Sequence, residues 1–194
     1  MHRSAVRALA EARQEVIGHF DINGIGAEIG VWRGDFSAQI LELARPSKLY
    51  LIDPWVRQRD DVHKQAVYGS ESNHDVDAIY LSVVSRFSHE VRLGQISILR
   101  TFSTEALRGF PDGHFDFIYI DGDHDYKSVR QDCFVAFDKV KQGGLICGDD
   151  YATDSWWGRG VVDAFHELLS ERATLLKYVR ENQIVVQKVP VAEK

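Results

Sequence analysis

The chain has 194 residues, of which 44% are hydrophobic and 27% charged, a balance typical of one globular domain in water. Its formal net charge of −6 argues against nucleic acid as the main partner, because phosphate binding requires a basic surface. No apolar run is long enough to cross a bilayer, and the N-terminus lacks a secretory apolar core. We therefore expect a cytoplasmic protein that acts on a small molecule and uses neither a membrane nor a disulfide framework.

The first elements combine a covering helix with a strand and a glycine turn. Apolar residues recur at helical spacing over residues 1–20, which predicts an amphipathic helix packed on the core. Residues 25–31 predict a strand that runs into a turn between Gly30 and Gly34, and a helix follows. Glycines let the backbone approach a ligand closely, and a helix N-terminus favours a negatively charged group. The dinucleotide fingerprint is absent, because Ile29 stands where its third glycine should be.

A second strand, residues 48–52, ends in Asp53 about twenty residues past the glycine turn. An acid at this place in a strand–helix–strand unit accepts hydrogen bonds from ribose hydroxyls. The two signals together favour a ligand that contains adenosine.

Residues 56–90 are too long for a simple connection. We interpret them as a crossover helix with an insert or lid that faces the substrate, the alternative being a solvated surface excursion. Residues 96–99 then predict a third strand, after which Ser103 resembles a helix N-cap.

The fourth strand, residues 115–120, is apolar with one exception, as in a strand covered on both faces. Asp121, Asp123, His124 and Asp125 follow at its carboxyl end, where open α/β sheets bind their ligands. Asp125 is expected to start the next helix, whereas Asp123 and His124 are rival candidates for a general base.

A helix over residues 127–140, ended by Gly143 and Gly144, precedes a fifth strand at 145–148. Asp149 and Asp150 follow it, and with Asp121 they would repel one another at adjacent strand ends. A hard divalent cation such as Mg²⁺ would resolve this, the alternative being acids that only cap helices or bond water. After a further helix, residues 172–190 predict a closing hairpin, which completes a single doubly wound α/β domain over residues 1–194.

These motifs, in this order, resemble the class I S-adenosylmethionine-dependent methyltransferases from about residue 25 to residue 189. Among them, the Asp-Gly-Asp-His-x-Tyr signature is similar to that of small bacterial enzymes related to metal-dependent, macrocin-type sugar O-methyltransferases. The resemblance implies a Rossmann-like, doubly wound seven-stranded sheet with an antiparallel last strand and helices on both faces.

The resemblance also implies roles by position. The turn would face the methionine end of S-adenosyl-L-methionine, Asp53 the ribose, and residues 102 and 103 the adenine. The implied cofactor residues are Glu28, Gly30, Val31, Trp32, Gly34, Asp53, Phe102, Ser103 and Asp121. The implied ligands of the divalent ion are Asp121, Asp149 and Asp150. Trp32 departs from the usual turn, which has glycine at that place.

The hypothesis is a methyl transfer to a hydroxyl of a sugar or phenolic natural product. The ion would hold the hydroxyl and lower its pKa, while Asp123 or His124 takes the proton. A nicotinamide oxidoreductase, a metal-dependent hydrolase built on Asp121, Asp123 and His124, and a non-catalytic S-adenosylmethionine-binding protein are the alternatives. The acceptor, oxygen rather than nitrogen methylation, and association between copies of the chain stay open.

Overall fold

The computed structural model describes residues 2–56, 73–155 and 157–189. Seven helices and seven strands lie along these ranges. In chain order they are α1 (His2–Ile17), β1 (Ile25–Ile29), α2 (Asp35–Leu43), β2 (Lys48–Ile52), α3 (Asn73–Arg86), α4 (Ser88–Arg92), β3 (Ile96–Leu99), α5 (Ser103–Arg108), β4 (Phe115–Ile120), α6 (Tyr126–Lys139), β5 (Val140–Gly148), α7 (Gly160–Glu171), β6 (Thr174–Arg180) and β7 (Gln183–Lys188). Residues 57–72 of the predicted insert lie outside the described residues.

The strands form one sheet in the order β3-β2-β1-β4-β5-β7-β6. The first five strands run parallel, and β7 enters antiparallel between β5 and β6. This arrangement confirms the predicted doubly wound sheet with its reversed last strand. No helix in the described ranges combines the length and apolar character that crossing a bilayer requires.

Two apolar layers cover the sheet because its central strands alternate between them. In β4, Phe117 and Tyr119 pack with residues of α1, α2 and α3, while Ile118 and Ile120 pack with α6 and α7. All four of these side chains are buried. A strand covered on both faces has no polar side to present, which is why the run reads as continuously apolar.

Two local predictions are wrong, and one is confirmed. Ser103 begins α5 instead of capping it, since Phe102 holds the cap position and the Ser103 hydroxyl bonds elsewhere. Gly143 and Gly144 do not end α6, because the chain leaves the helix at Lys139 and they lie in an irregular part of β5. Asp125 does cap α6, accepting hydrogen bonds from the backbone N–H groups of residues 127 and 128 at 2.9 and 3.2 Å.

The carboxyl ends of β1, β2, β4 and β5 are tied together by backbone hydrogen bonds just past the strands. Gly30 N–H donates to Ile52, Asp121 N–H to Ile29 and Asp149 N–H to Ile120, at 2.8–3.0 Å. The approach is closest at Gly30, where φ is +81° and a β-carbon would lie 1.9 Å from the Asp121 carbonyl oxygen. Only glycine fits at this place in the chain.

We expect Gly30→Ala to lower the free energy of unfolding by more than about 3 kcal/mol, because the added methyl group forces two strand ends apart. Gly94→Ala is the matched control, since Gly94 has φ +76° but nothing within 4 Å of the added carbon. That control is expected to lose only about 1 kcal/mol. Urea unfolding measures both, and equal losses would mean that the close approach contributes nothing.

Candidate functional site

A cavity of about 290 Å³ opens at the carboxyl end of the sheet. Its wall combines the turn after β1 with residues that follow β2, β3 and β4 and with the start of α6. The predicted site residues that line it are Gly30, Trp32, Asp53, Phe102, Ser103, Asp121 and Asp123. Its place at the point where the strand order reverses is where doubly wound sheets bind their ligands.

Asp53 holds the glycine turn in place. Its Oδ2 accepts hydrogen bonds from the backbone N–H groups of Val31 and Trp32, both at 2.9 Å, and its Oδ1 accepts from Trp55 N–H at 2.7 Å. Burial raises the pKa of Asp53, and these three donors oppose that effect by stabilising the carboxylate. One side chain at the end of β2 therefore sets the shape of the turn that follows β1.

Trp32 adopts the backbone conformation that the missing glycine would have taken. Its φ of +50° lies in the left-handed region, which costs a non-glycine residue energy. Besides the bond from its N–H to Asp53, its carbonyl oxygen accepts from the indole Nε1–H of Trp55 at 2.9 Å. The surrounding contacts thus hold a strained residue on the cavity wall.

Three of the predicted cofactor residues do not line the cavity. Val31 is buried, and Gly34, with φ +76°, precedes α2. Glu28 is 1% exposed and accepts a hydrogen bond from the Ser37 hydroxyl at 2.5 Å. Burial raises the pKa of Glu28 to about 8 despite that bond. For Glu28 the structure therefore favours support of the turn over contact with a ligand.

Arg13 of α1 bridges the acids that follow β4 and β5. Its Nη2 contacts both Asp121 and Asp149, and its Nε donates to the Tyr119 hydroxyl at 3.2 Å. The guanidinium also lies 5.0 Å from the centre of the Phe36 ring. Burial opposes the charged form of Arg13, but the two carboxylates outweigh it and raise the pKa of Arg13. The helix that the sequence predicted as packing thus supplies a cation to the site.

Asp149 is saturated by protein donors. It is 7% exposed. Its Oδ1 accepts from Asn182, Gln183 and the N–H of Asp150 at 2.5–2.8 Å, and its Oδ2 faces Arg13. Asp150 has φ +57°, so the chain turns at once after β5 and both acids reach the same region. Among the predicted metal ligands, Asp149 has the most buried side chain.

Asp121, His124 and Asp150 form a second grouping at the same edge. One ligand atom from each lies within 4.8 Å of the others, and His124 Nε2 is 3.3 Å from Asp150 Oδ2. Burial and the Asp149 carboxylate raise the pKa of both Asp121 and Asp150. Two carboxylates and an imidazole at these distances fit a divalent cation, whose charge would relieve the repulsion.

Asp123 and His124, the rival candidates for the base, face different surroundings. Asp123 lies on the wall of the large cavity, and its Oδ1 accepts from Asp125 N–H at 3.2 Å. His124 turns towards Asp150, and its ring lies edge-on to Trp157 with 5.0 Å between the ring centres. The structure therefore brings the two side chains into one region but separates their contacts.

Sequence reasoning missed two charged residues. Arg13 read as one of several polar positions on an amphipathic helix. Asp132 of α6 is 6% exposed and lines the cavity. Its signal was present in the pattern, because Asp132 falls on the same helical stripe as the buried Val129, Cys133 and Ala136.

The sheet order and the glycine turn held by an acid define a Rossmann-like α/β domain. A family described as a methyltransferase domain matches residues 27–151, more than half of the chain. The chain belongs to this methyltransferase domain family. An uncharacterized protein of Acanthamoeba polyphaga mimivirus is 27% identical over 150 residues, which cover 74% of this chain and 58% of that protein. The chain therefore spans less than two thirds of that relative's length.

Solved structures share the fold. SMU.1697c from Streptococcus mutans, solved in complex with SAH, matches with a TM-score of 0.61 at 9% identity, covering 94% of this chain and 98% of that chain. The O-methyltransferase NovP matches with a TM-score of 0.59 at 20% identity, covering 94% of this chain and 78% of that chain. At these identities the matches establish the architecture.

Neutralising Glu28 should change how stability depends on pH. The fold keeps the carboxyl protonated up to a pKa of about 8, whereas the unfolded chain ionises near 4.5. The free energy of unfolding should therefore fall as pH rises from about 5 to about 8. Glu28→Gln removes this loss, and we expect it to be more stable than the parent at pH 8 by on the order of 2 kcal/mol.

Urea unfolding at pH 5 and pH 8 measures the effect. Glu42→Gln, at an exposed glutamate of α2, is the control and should follow the parent. A parent and a Glu28→Gln variant with the same pH dependence would show that Glu28 is not held neutral.

Proposed function

We propose that the protein is an S-adenosylmethionine-dependent methyltransferase that methylates a hydroxyl group of a small molecule, a sugar or a phenolic natural product. The observation that carries the proposal is the cavity itself, in which the turn held by Asp53 and the acids after β4 face one space in a chain of the methyltransferase domain family. The fold shared with NovP supports oxygen as the methylated atom.

The cofactor is proposed to lie along the carboxyl ends of β1, β2, β3 and β4. Its methionine end would face the turn from Gly30 to Trp32, and its ribose would lie near Asp53, whose Oδ1 has a lone pair left beyond the bond it accepts. Its adenine would lie at Phe102 and Ser103. This order follows the wall of the cavity from β1 to β3 and directs the reactive sulfonium towards Asp121.

Asp123 is proposed as the base that takes the proton of the acceptor hydroxyl. It lies on the cavity wall two residues beyond Asp121, where the acceptor must approach the methyl group. Holding the two reactants in line contributes much of the remaining rate, as in other transfers between bound partners. His124 is the competing candidate, and its contact with Asp150 favours a role beside Asp121 and Asp150 as a ligand of an ion.

A divalent ion such as Mg²⁺ is proposed to be held by Asp121, His124 and Asp150, with Asp149 in support through its bonds to Arg13 and the amides of residues 182 and 183. When bound, such an ion lowers the pKa of a coordinated hydroxyl. With the acids ionised, the three carboxylates carry −3 and Arg13 carries +1. A divalent cation would balance this charge.

The function is tested first by calorimetric titration with S-adenosylmethionine and S-adenosylhomocysteine, and then by transfer of a labelled methyl group to a panel of sugars and phenols. Asp123→Asn should lower kcat by about 100-fold and leave the affinity for S-adenosylhomocysteine within about threefold, because the base acts only in the chemical step. Asp138→Asn, an exposed acid of α6, is the control.

Two results would count against these assignments. A protein that binds neither form of the cofactor is not a methyltransferase of this kind, and turnover without the cofactor would favour the hydrolase reading. If Asp123→Asn keeps the kcat of the parent, Asp123 is not the base.

Arg13→Gln should show how the negative charges of Asp121 and Asp149 are compensated. Removing the guanidinium leaves Asp121 and Asp149 buried without their counter-charge, so we expect a loss of about 3 kcal/mol in the free energy of unfolding at pH 8. Millimolar MgCl₂ or MnCl₂ should stabilise the variant more than the parent, since the ion replaces the lost positive charge.

Thermal unfolding with and without the ions measures both effects. Arg7→Gln is the matched control on the same helix, because the Arg7 side chain is 82% exposed. An Arg13→Gln variant as stable as the parent would show that Arg13 is not needed to compensate these acids. If the ions change the thermal unfolding of neither protein, the proposal of an ion site is wrong.

A further inference from the structure

We infer that Asp132 recognises the exocyclic amino group of the cofactor's adenine and so determines which nucleoside the cavity accepts. The inference rests on the proposed function, because it names one more contact of the same cofactor. Asp132 projects from the second turn of α6 into the cavity wall and is 6% exposed. It was not among the residues that the sequence motifs single out.

One oxygen of Asp132 is held by the protein, and the other is not. Oδ1 accepts the hydrogen bond of the Ser103 hydroxyl at 2.5 Å. Within the described ranges, no hydrogen bond reaches Oδ2, which lies beside Gly122 on the cavity wall. Oδ2 keeps access to the cavity, since it is not one of the described side-chain atoms that are fully buried without a partner. A ligand that offers an N–H at this place would meet a carboxylate oxygen that can accept it.

The surroundings explain why the carboxyl group is costly here. Its neighbours on the helical stripe, Val129, Cys133 and Ala136, are core residues. Burial raises the pKa of Asp132 to about 6, and the Ser103 bond opposes that effect only in part. An apolar side chain would suit the helix better, so the carboxyl group is better explained by what enters the cavity.

The adenine edge is the part of the cofactor whose chemistry fits. Asp132 bonds to Ser103, which lines the part of the cavity proposed for the adenine, whereas Asp53 and the glycine turn line the part proposed for the ribose and the methionine end. The adenine 6-amino group presents two N–H donors, and a carboxylate oxygen accepts such donors readily. Phe102, 58% exposed, offers a ring beside them on which a purine can stack.

The test compares two ligands and two proteins. The ligands are S-adenosylhomocysteine and its analogue in which the purine lacks the 6-amino group. The unaltered protein should bind S-adenosylhomocysteine at least about tenfold more tightly than the analogue, as expected for a hydrogen bond to a charged group. Asp132→Leu should bind the two ligands with affinities within about twofold of each other. Calorimetric titration at pH 8 measures all four constants.

Asp138→Leu, at an exposed acid on the same helix, is the control and should keep the tenfold preference. If Asp132→Leu does not fold, Asp132→Asn replaces it. Ser103 would hold the amide oxygen, so the amide nitrogen would face the adenine amine and the preference would again be lost. A preference that survives substitution of Asp132 overturns the inference and leaves the proposed function intact. Failure of the unaltered protein to bind S-adenosylhomocysteine overturns the proposed function itself.

Discussion

The structure depends on how the carboxyl groups gathered at one edge of the sheet are compensated. Glu28 lies near the end of β1, Asp53 follows β2, Asp121 follows β4, and Asp149 and Asp150 follow β5. Parallel strands bring these ends together. The backbone hydrogen bonds just past the strands and the close approach at Gly30 leave them little room to separate. Carboxylates so placed repel one another and lose hydration, so each needs a proton, a hydrogen-bond donor or a cation.

The compensation differs from one acid to the next, and the differences define the site. Burial raises the pKa of Glu28 to about 8, whereas Asp53 accepts hydrogen bonds from three backbone N–H groups, two of them in the turn. One of these bonds, from the N–H of Trp32, helps to hold that residue in a conformation that a tryptophan does not favour. Asp121 and Asp149 instead share the guanidinium of Arg13. The cavity is thus shaped by neutral and backbone-bonded acids on one side and by a charged cluster on the other.

The sheet could be predicted because its signals are local: apolar runs, turn residues and acids that end strands. The same logic found the residues on the cavity wall, since carboxyl ends of parallel strands must meet. Arg13 could not be found this way, because its partners are fixed only when α1 docks more than one hundred residues away in sequence. Ser103 resembled a helix cap, but its hydroxyl donates a hydrogen bond to Asp132 instead. Only the packing of α5 against α6 decides between these two hydrogen bonds.

The charge at this edge also bears on the proposed reaction. S-adenosylmethionine carries a sulfonium cation, and transfer of the methyl group leaves a neutral thioether. A site with ionised acids near the sulfur therefore attracts the reactant more than the product, which favours exchange after each turnover. Burial and the neighbouring acids raise the pKa of Asp121, whereas Arg13 lowers it and so favours the ionised form. The guanidinium of Arg13, although itself positive, therefore opposes protonation of Asp121, the acid that the proposed cofactor's cation would meet.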